Sequence, residues 1–235
     1  MGLLEGKLIA QRIKQGLRDE IQTQNLKPVL ASIQVGEDQA AEAYCNSQRK
    51  LAQRLGIEYK FYKLEKEIKE QALIDFIVSL NQNKEINAII LQLPLPAHID
   101  YKKMSKYIAA NKDAEGMNPA NIGEIVFAKA NILPCTAAAV MELLNETGID
   151  LDGKEVVIVG HSEIVGKPLS LLLLEKFATV TVCHIGTSRA NKLQEHVKRA
   201  EVLIVAVGKA NLIKGEWVKK DAVVIDVGID RKSVV

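Results

Sequence analysis

Residues 43–50 read AYCNSQRK. Tyr44 and Gln48 lie four apart in a stretch patterned as a helix, so one turn stacks them on the same face. A tyrosine paired there with a lysine would make an acid/base couple. With glutamine in the second place the pair keeps its hydrogen-bonding capacity but has no proton to exchange near neutral pH. Gln92, in LQLPLP, is a second candidate by position alone. Pro94 and Pro96 stop the apolar run it belongs to, and open α/β sheets bind ligands beside the carboxyl ends of their strands. A third candidate is the turn GHSEIVG, where Gly160 and Gly166 bracket a strand-to-helix junction and Pro168 falls near the first helical turn. Backbone amides and the helix dipole at such a junction can hold a pyrophosphate. Two glycines are fewer than the usual dinucleotide fingerprint has, and no acidic ribose ligand follows the next strand. Taken alone, the turn fits a nucleotide site or a plain connection equally well. Cys45, Cys135 and Cys183 are sparse and far apart, which argues against a disulfide framework or a zinc spacing and favours buried thiols; Cys135 as a nucleophile has no sequence feature to support it over packing.

The elements that must position these residues follow from periodicity. Leu4, Leu8, Ile9, Ile13, Leu17 and Ile21 keep helical spacing, so the chain opens with an amphipathic helix. PVLASIQVG (28–36), IEYKFYKL (57–64) and INAIILQLPLP (86–96) read as strands. The helices between them include the AYCNSQRK helix, closed by Gly56. After the helical stretch TAAAVMELLNETG, a second series of strands reads EVVIVG, ATVTVCH, EVLIVAVG and AVVIDVG, with helices VGKPLSLLLLEKF and NKLQEHVKRA in two of the gaps. Strands alternating with helices imply βαβ units and mostly parallel sheets, an α/β protein. A net charge of +2 over 235 residues gives no reason to expect nucleic acid or a membrane as partner. The apolar runs fall far short of the ~20 residues of a bilayer span. MGLLEGKLIAQRIKQ has no signal-peptide core, so a cytoplasmic protein is expected.

Several stretches taken together carry a resemblance: VGEDQAAEAYCNSQRK, LQLPLPAHID, KDAEGMNPANIG, LPCTA, GHSEIVGKP, VAVGKANLIKG and VIDVGID. In order and spacing, over essentially the whole chain, they resemble the bifunctional methylenetetrahydrofolate dehydrogenase/methenyltetrahydrofolate cyclohydrolase family. The resemblance implies two α/β domains, set here at 1–120 for folate and catalysis and 121–235 for a Rossmann-like NAD(P)-binding domain. It implies a tetrahydrofolate one-carbon derivative as substrate, NADP or NAD as cofactor, and a homodimer. The implied chemistry is oxidation of 5,10-methylene-tetrahydrofolate to the methenyl form, then hydrolysis to 10-formyl-tetrahydrofolate. By motif, Tyr44 matches a tyrosine lining the folate pocket and Gln92 the glutamine that hydrogen-bonds a catalytic lysine. Glu115 stands where an aspartate usually anchors the pterin. Gly160, His161 and Ser162 match the nucleotide-binding turn, and Ile229 a residue near the nicotinamide.

The departures shape the expectation. Gln48 replaces the lysine of the Tyr-x-x-x-Lys motif, and Lys50 lies on another helix face. Hydride transfer needs alignment and no obligatory proton donor. Hydrolysis gains ~10²–10⁴-fold from a group with a tunable pKa. A dehydrogenase with weak or lost cyclohydrolase activity is therefore expected; the alternative is a non-catalytic folate- or nucleotide-binding paralogue or regulatory subunit. His161 replaces an arginine and Ile185 a serine at positions that help receive a 2′-phosphate, which points to NAD or mixed use. The resemblance also implies a further loop and helix after VIDVGI, where this sequence has only DRKSVV; without them a second domain that moves more freely is expected.

Overall fold

The computed structural model describes residues 2–228. Ile229 and the segment after it, on which two of the expectations above rest, lie outside the described residues. The chain divides into two compact units. One is Gly6–Glu124 with Ala130–Leu133; the other comprises Ile125–Lys129 and the chain from Pro134 onward, with residues 2–5.

In the first unit, helix α1 (Gly6–Thr23) precedes strand β1 (Val29–Val35), then come α2 (Gln39–Leu55), β2 (Glu58–Leu64), α3 (Glu70–Gln82) and β3 (Ala88–Leu91). The short helix α4 (Tyr101–Met104) follows, and α5 (Pro119–Val126) ends at the passage to the other unit. The three strands are all parallel in the order β2-β1-β3. Strand β3 is shorter than the run 86–96 suggests, although the Gln92 N–H still donates to Ile33 O at 2.8 Å and extends the pairing by one residue.

Side chains alternate across a strand, so register decides which residues share a face. Ala31, Ile33 and Val35 of β1 join Tyr62 and Leu64 of β2, Ile89 and Leu91 of β3, and the apolar side of α3 in one core. The opposite face carries Ser32 and Gln34, both buried and polar. Pairing of Leu30 with Tyr59 and of Ser32 with Phe61 and Ile90 puts Tyr59, Phe61 and Gln92 on that second face. The AYCNSQRK helix α2 covers it. Asp38 caps α2 by accepting from Ala41 N at 2.8 Å, and Gly56 ends it at φ 82°, where a Cβ would be strained. α1 forms as expected, but its apolar positions are not a core face. Only Ile9 is buried, while Leu8, Ile13 and Leu17 stay exposed. Its contact with α2 includes two bonds from the Arg18 guanidinium to Arg54 O.

The second unit contains α6 (Cys135–Thr147), β4 (Glu155–Val159), α7 (Gly166–Leu174), β5 (Thr179–Cys183), α8 (Ile185–Arg189), α9 (Leu193–Arg199), β6 (Val202–Val205) and β7 (Val223–Asp226). Its strands are parallel in the order β5-β4-β6-β7, so the connections leave β4 in both directions and open a switch point at the carboxyl ends of β4 and β6. Val156 and Ile158 face α6 and α7, and Val157 and Val159 face α9, so both faces of the sheet are buried. Cys45 and Cys183 are buried as thiols; Cys135, at the start of α6, is exposed, against the expectation of burial. Among the described residues no helix is long and apolar enough to cross a membrane.

Candidate active site

On the polar face of the first sheet the candidate residues of α2 and β3 meet. Tyr44 is 59% exposed and Gln48, one turn on, is half-buried. Gln48 Oε1 accepts from Gln92 Nε2 at 2.8 Å and from the Tyr59 hydroxyl at 3.1 Å. Gln92, buried at the end of β3, gives its other amide proton to Ser32 Oγ at 2.9 Å. Ser32 also stands near the Tyr59 phenol and favours its ionised form, against the larger effect of burial. Three hydrogen bonds thus link Tyr59, Gln48, Gln92 and Ser32 in turn, and the four side chains stand in a ring. Burial pushes the Tyr59 phenol up to about 12, so it stays neutral and donating at any working pH. The Arg49 guanidinium lies 5.8 Å from the Tyr59 ring centroid and 5.3 Å from that of Phe61, within cation–π range.

Glu115 belongs to a second network. It accepts from the Tyr101 hydroxyl at 3.3 Å, in a loop anchored by the buried Asp113. Asp113 accepts from the Glu115, Asn118 and Asn121 N–H groups at 3.2, 2.6 and 3.1 Å, and a bridge to Ile89 holds it beside β3. Desolvation pushes the Glu115 carboxyl from 4.5 up to about 7; the Tyr101 bond opposes this, and the Asp113 charge adds to it.

In the second unit the glycine turn is close-packed backbone. Gly160 has φ 130° and its N–H donates to Cys183 O at 2.9 Å; a Cβ there would stand 2.5 Å from Ala206 O. A Cβ on Gly166 would stand 2.1 Å from Gly160 O, so neither position admits a side chain. Ser162 Oγ accepts from Val165 N at 3.2 Å, holding the turn that leads into α7. His161 is exposed, with its ring centroid 5.1 Å from that of His184. His184 caps α8: its Nδ1 accepts from Gly186 N at 3.1 Å and its own N–H donates to Thr187 Oγ1 at 3.2 Å. Ile185, next in sequence, is exposed. His161, Ser162 and Ile185 therefore gather at the carboxyl ends of the adjacent strands β4 and β5. A hollow of about 260 Å³ beyond β6 and β7 is lined by Val205, Val207, Lys209, Asn211, Asp226 and Gly228, among others. A groove of about 550 Å³ between α1 and α2 is larger, and none of the candidate residues lines it.

Comparison with known proteins identifies what this arrangement belongs to. Residues 4–115 match the tetrahydrofolate dehydrogenase/cyclohydrolase catalytic domain, and residues 134–234 match the NAD(P)-binding domain of the same family. A bifunctional protein FolD of Acetivibrio thermocellus is 46% identical over 97% of this chain and 80% of its own length. The crystal structure of the bifunctional FolD methylenetetrahydrofolate dehydrogenase/cyclohydrolase from Campylobacter jejuni superposes with a TM-score of 0.94 at 37% identity, covering 98% of this chain and 82% of that one. The Trypanosoma brucei enzyme, solved with NADP and an inhibitor, gives 0.89 at 34% identity, covering 96% and 78%. This chain belongs to the tetrahydrofolate dehydrogenase/cyclohydrolase family.

Within that family setting the chemistry available to the first unit is specific. Position 48 presents an amide whose oxygen is already engaged by two donors, so only its NH₂ remains for a ligand. Burial holds the Glu115 carboxyl at about 7, where a carboxyl can exchange a proton close to neutrality. The glycine turn ahead of α7 is packed against its own backbone, and the amides at the start of α7 that it leads into are groups that could hold a pyrophosphate. Among the described residues no three His, Cys, Asp or Glu side chains gather to hold a metal ion. Sequence reasoning missed Ser32, Tyr59, Tyr101, Asp113 and His184. Ser32 had a usable signal, since Ser32 and Gln34 stand two apart in an otherwise apolar strand. Tyr59 had none without the register of β2.

Proposed function

We propose that this family member oxidises 5,10-methylene-tetrahydrofolate to the 5,10-methenyl form using NAD or NADP, with weak or lost hydrolysis to 10-formyl-tetrahydrofolate. Tyr44, Gln48, Gln92 and Glu115 would hold the reduced folate. Gly160, His161, Ser162 and Ile185, with Ile229, would hold the dinucleotide, which supplies a hydride acceptor when bound. In the oxidation the methylene C–H bond breaks and its electron pair leaves as hydride, so the residues need only orient the folate and exclude water. Hydrolysis adds water across the methenyl carbon and must move protons. The observation that carries this division is the Gln48 oxygen, held by Tyr59 and Gln92 in a place where a lysine would offer a titratable group.

Turnover of methylene-tetrahydrofolate with each nucleotide, beside hydrolysis of methenyl-tetrahydrofolate by the same sample, tests the proposal. Oxidation without matching hydrolysis is the expected result, and hydrolysis as fast as oxidation would overturn it. Binding of folate and nucleotide with no turnover would identify a non-catalytic paralogue instead. One observation favours a second reading, in which Glu115, with its carboxyl near 7, carries proton transfer and preserves hydrolysis. Its mark would be hydrolysis that disappears in Glu115→Gln. A homodimer in the cytoplasm is part of the same proposal, and sedimentation of the purified chain tests the dimer.

A further inference from the structure

We propose that Tyr59 is a positioning residue of the folate side: through the ring it forms with Ser32, Gln48 and Gln92, it fixes the Gln48 amide so that the NH₂ is presented to the bound folate as a hydrogen-bond donor. The inference rests on the folate-binding reading above and adds a residue to it. An amide can turn over and exchange its donor and acceptor ends. At position 48 two donors, Tyr59 at 3.1 Å and Gln92 at 2.8 Å, both address the oxygen and hold one orientation. The orientation of Gln92 is itself fixed, because its second amide proton goes to Ser32 at 2.9 Å. Ser32 in turn stands near the Tyr59 phenol. Both donors that reach Gln48 address its oxygen, and its NH₂ is the part of that amide which they do not use. Burial keeps the phenol protonated, so the clamp persists across the working pH range. Tyr59 also packs under Arg49, a role its ring performs without the hydroxyl. Tyr59→Phe separates the two, because it removes the clamp and leaves the ring.

The test is a double-mutant cycle on the full chain: wild type, Tyr59→Phe, Gln48→Ala and the double variant. Affinity is measured for 5-formyl-tetrahydrofolate, a reduced folate that the oxidation does not consume, with NADH affinity and thermal midpoint as controls. Tyr59→Phe is expected to weaken folate binding roughly 3- to 10-fold, the scale of one neutral hydrogen bond, and to leave NADH affinity within twofold. In the Gln48→Ala background the same substitution should change nothing further, a result that mere packing would not give. Equal weakening in both backgrounds, or none in the wild type, overturns the inference. Should Tyr59→Phe not fold, Ser32→Ala opens the same ring at another bond and must show the same dependence on Gln48. If the wild-type chain binds NADH and not the folate, the folate reading itself falls, and this inference falls with it.

Discussion

Replacing Gln48 by lysine tests whether hydride chemistry and proton chemistry have been separated in this protein. The Gln48 oxygen now accepts from Tyr59 at 3.1 Å and Gln92 at 2.8 Å, whereas an ammonium only donates. Both incoming donors must therefore turn away, and the ring offers a way to do so by reversing. The introduced ammonium donates to the Tyr59 oxygen and, once the Gln92 amide turns over, to Gln92 Oε1. The Tyr59 hydroxyl then donates to Ser32, and Ser32 donates to Gln92 Oε1. Each of the four side chains keeps partners, so Gln48→Lys should cost no more than about 1–2 kcal/mol of stability. Without the reversal, each unmet buried donor would cost about 1–3 kcal/mol. A titratable group at this position should raise hydrolysis of methenyl-tetrahydrofolate by ~10²–10⁴-fold. That gain is about 3–5 kcal/mol off the barrier. Oxidation, which depends on placement, should change by less than about tenfold. Loss of methenyl absorbance without nucleotide, and formation of reduced nicotinamide from methylene-tetrahydrofolate, are followed on one sample. A Gln48→Lys variant that melts within about 5 °C of wild type and hydrolyses no faster would refute the reasoning.

Other consequences are as direct. Burial raises the Glu115 carboxyl from 4.5 to about 7, so between those values the folded chain binds more protons there than the unfolded chain does. This contribution makes stability fall as pH rises from about 4.5 through about 7. Urea midpoints over that window should decline more steeply in wild type than in Glu115→Gln, and parallel slopes would contradict the assignment. Gly166→Ala forces a Cβ to within 2.1 Å of Gly160 O and 2.9 Å of the His161 Cα, backbone atoms that cannot swing aside. It should destabilise the protein by ~1–3 kcal/mol and weaken NADH binding, leaving folate affinity unchanged. His161→Arg supplies a planar, permanently charged fork beside His184 and should tighten NADPH roughly tenfold while NADH moves less than twofold. Equal effects on the two nucleotides would remove His161 from the 2′-phosphate position.

What was legible in the sequence was local. Among the described residues periodicity found every strand, because VLASIQV, AIIL, EVVIV and VLIV are apolar enough to be buried on at least one face whatever their neighbours do. The glycine turn was legible because close backbone approach excludes a Cβ. α1 shows the limit: its helical spacing is real, but spacing does not say which face finds a core, and Leu8, Ile13 and Leu17 found none. α8 was missed because five residues held by a His184 and Thr187 cap carry no apolar period. The ring around Gln48 lay beyond reach for a related reason. Its members are spread from residue 32 to residue 92, and parallel register alone sets Tyr59 beside Leu30 and on the face of Ser32. That register explains why position 48 is not free to vary. Two donors, the half-buried Tyr59 of β2 and the buried Gln92 after β3, converge on it, so an apolar side chain would leave both unmet. Glutamine satisfies them with one oxygen. Lysine can do so only by reversing the ring, so the scaffold can carry either residue while the proton chemistry open to it changes with the choice.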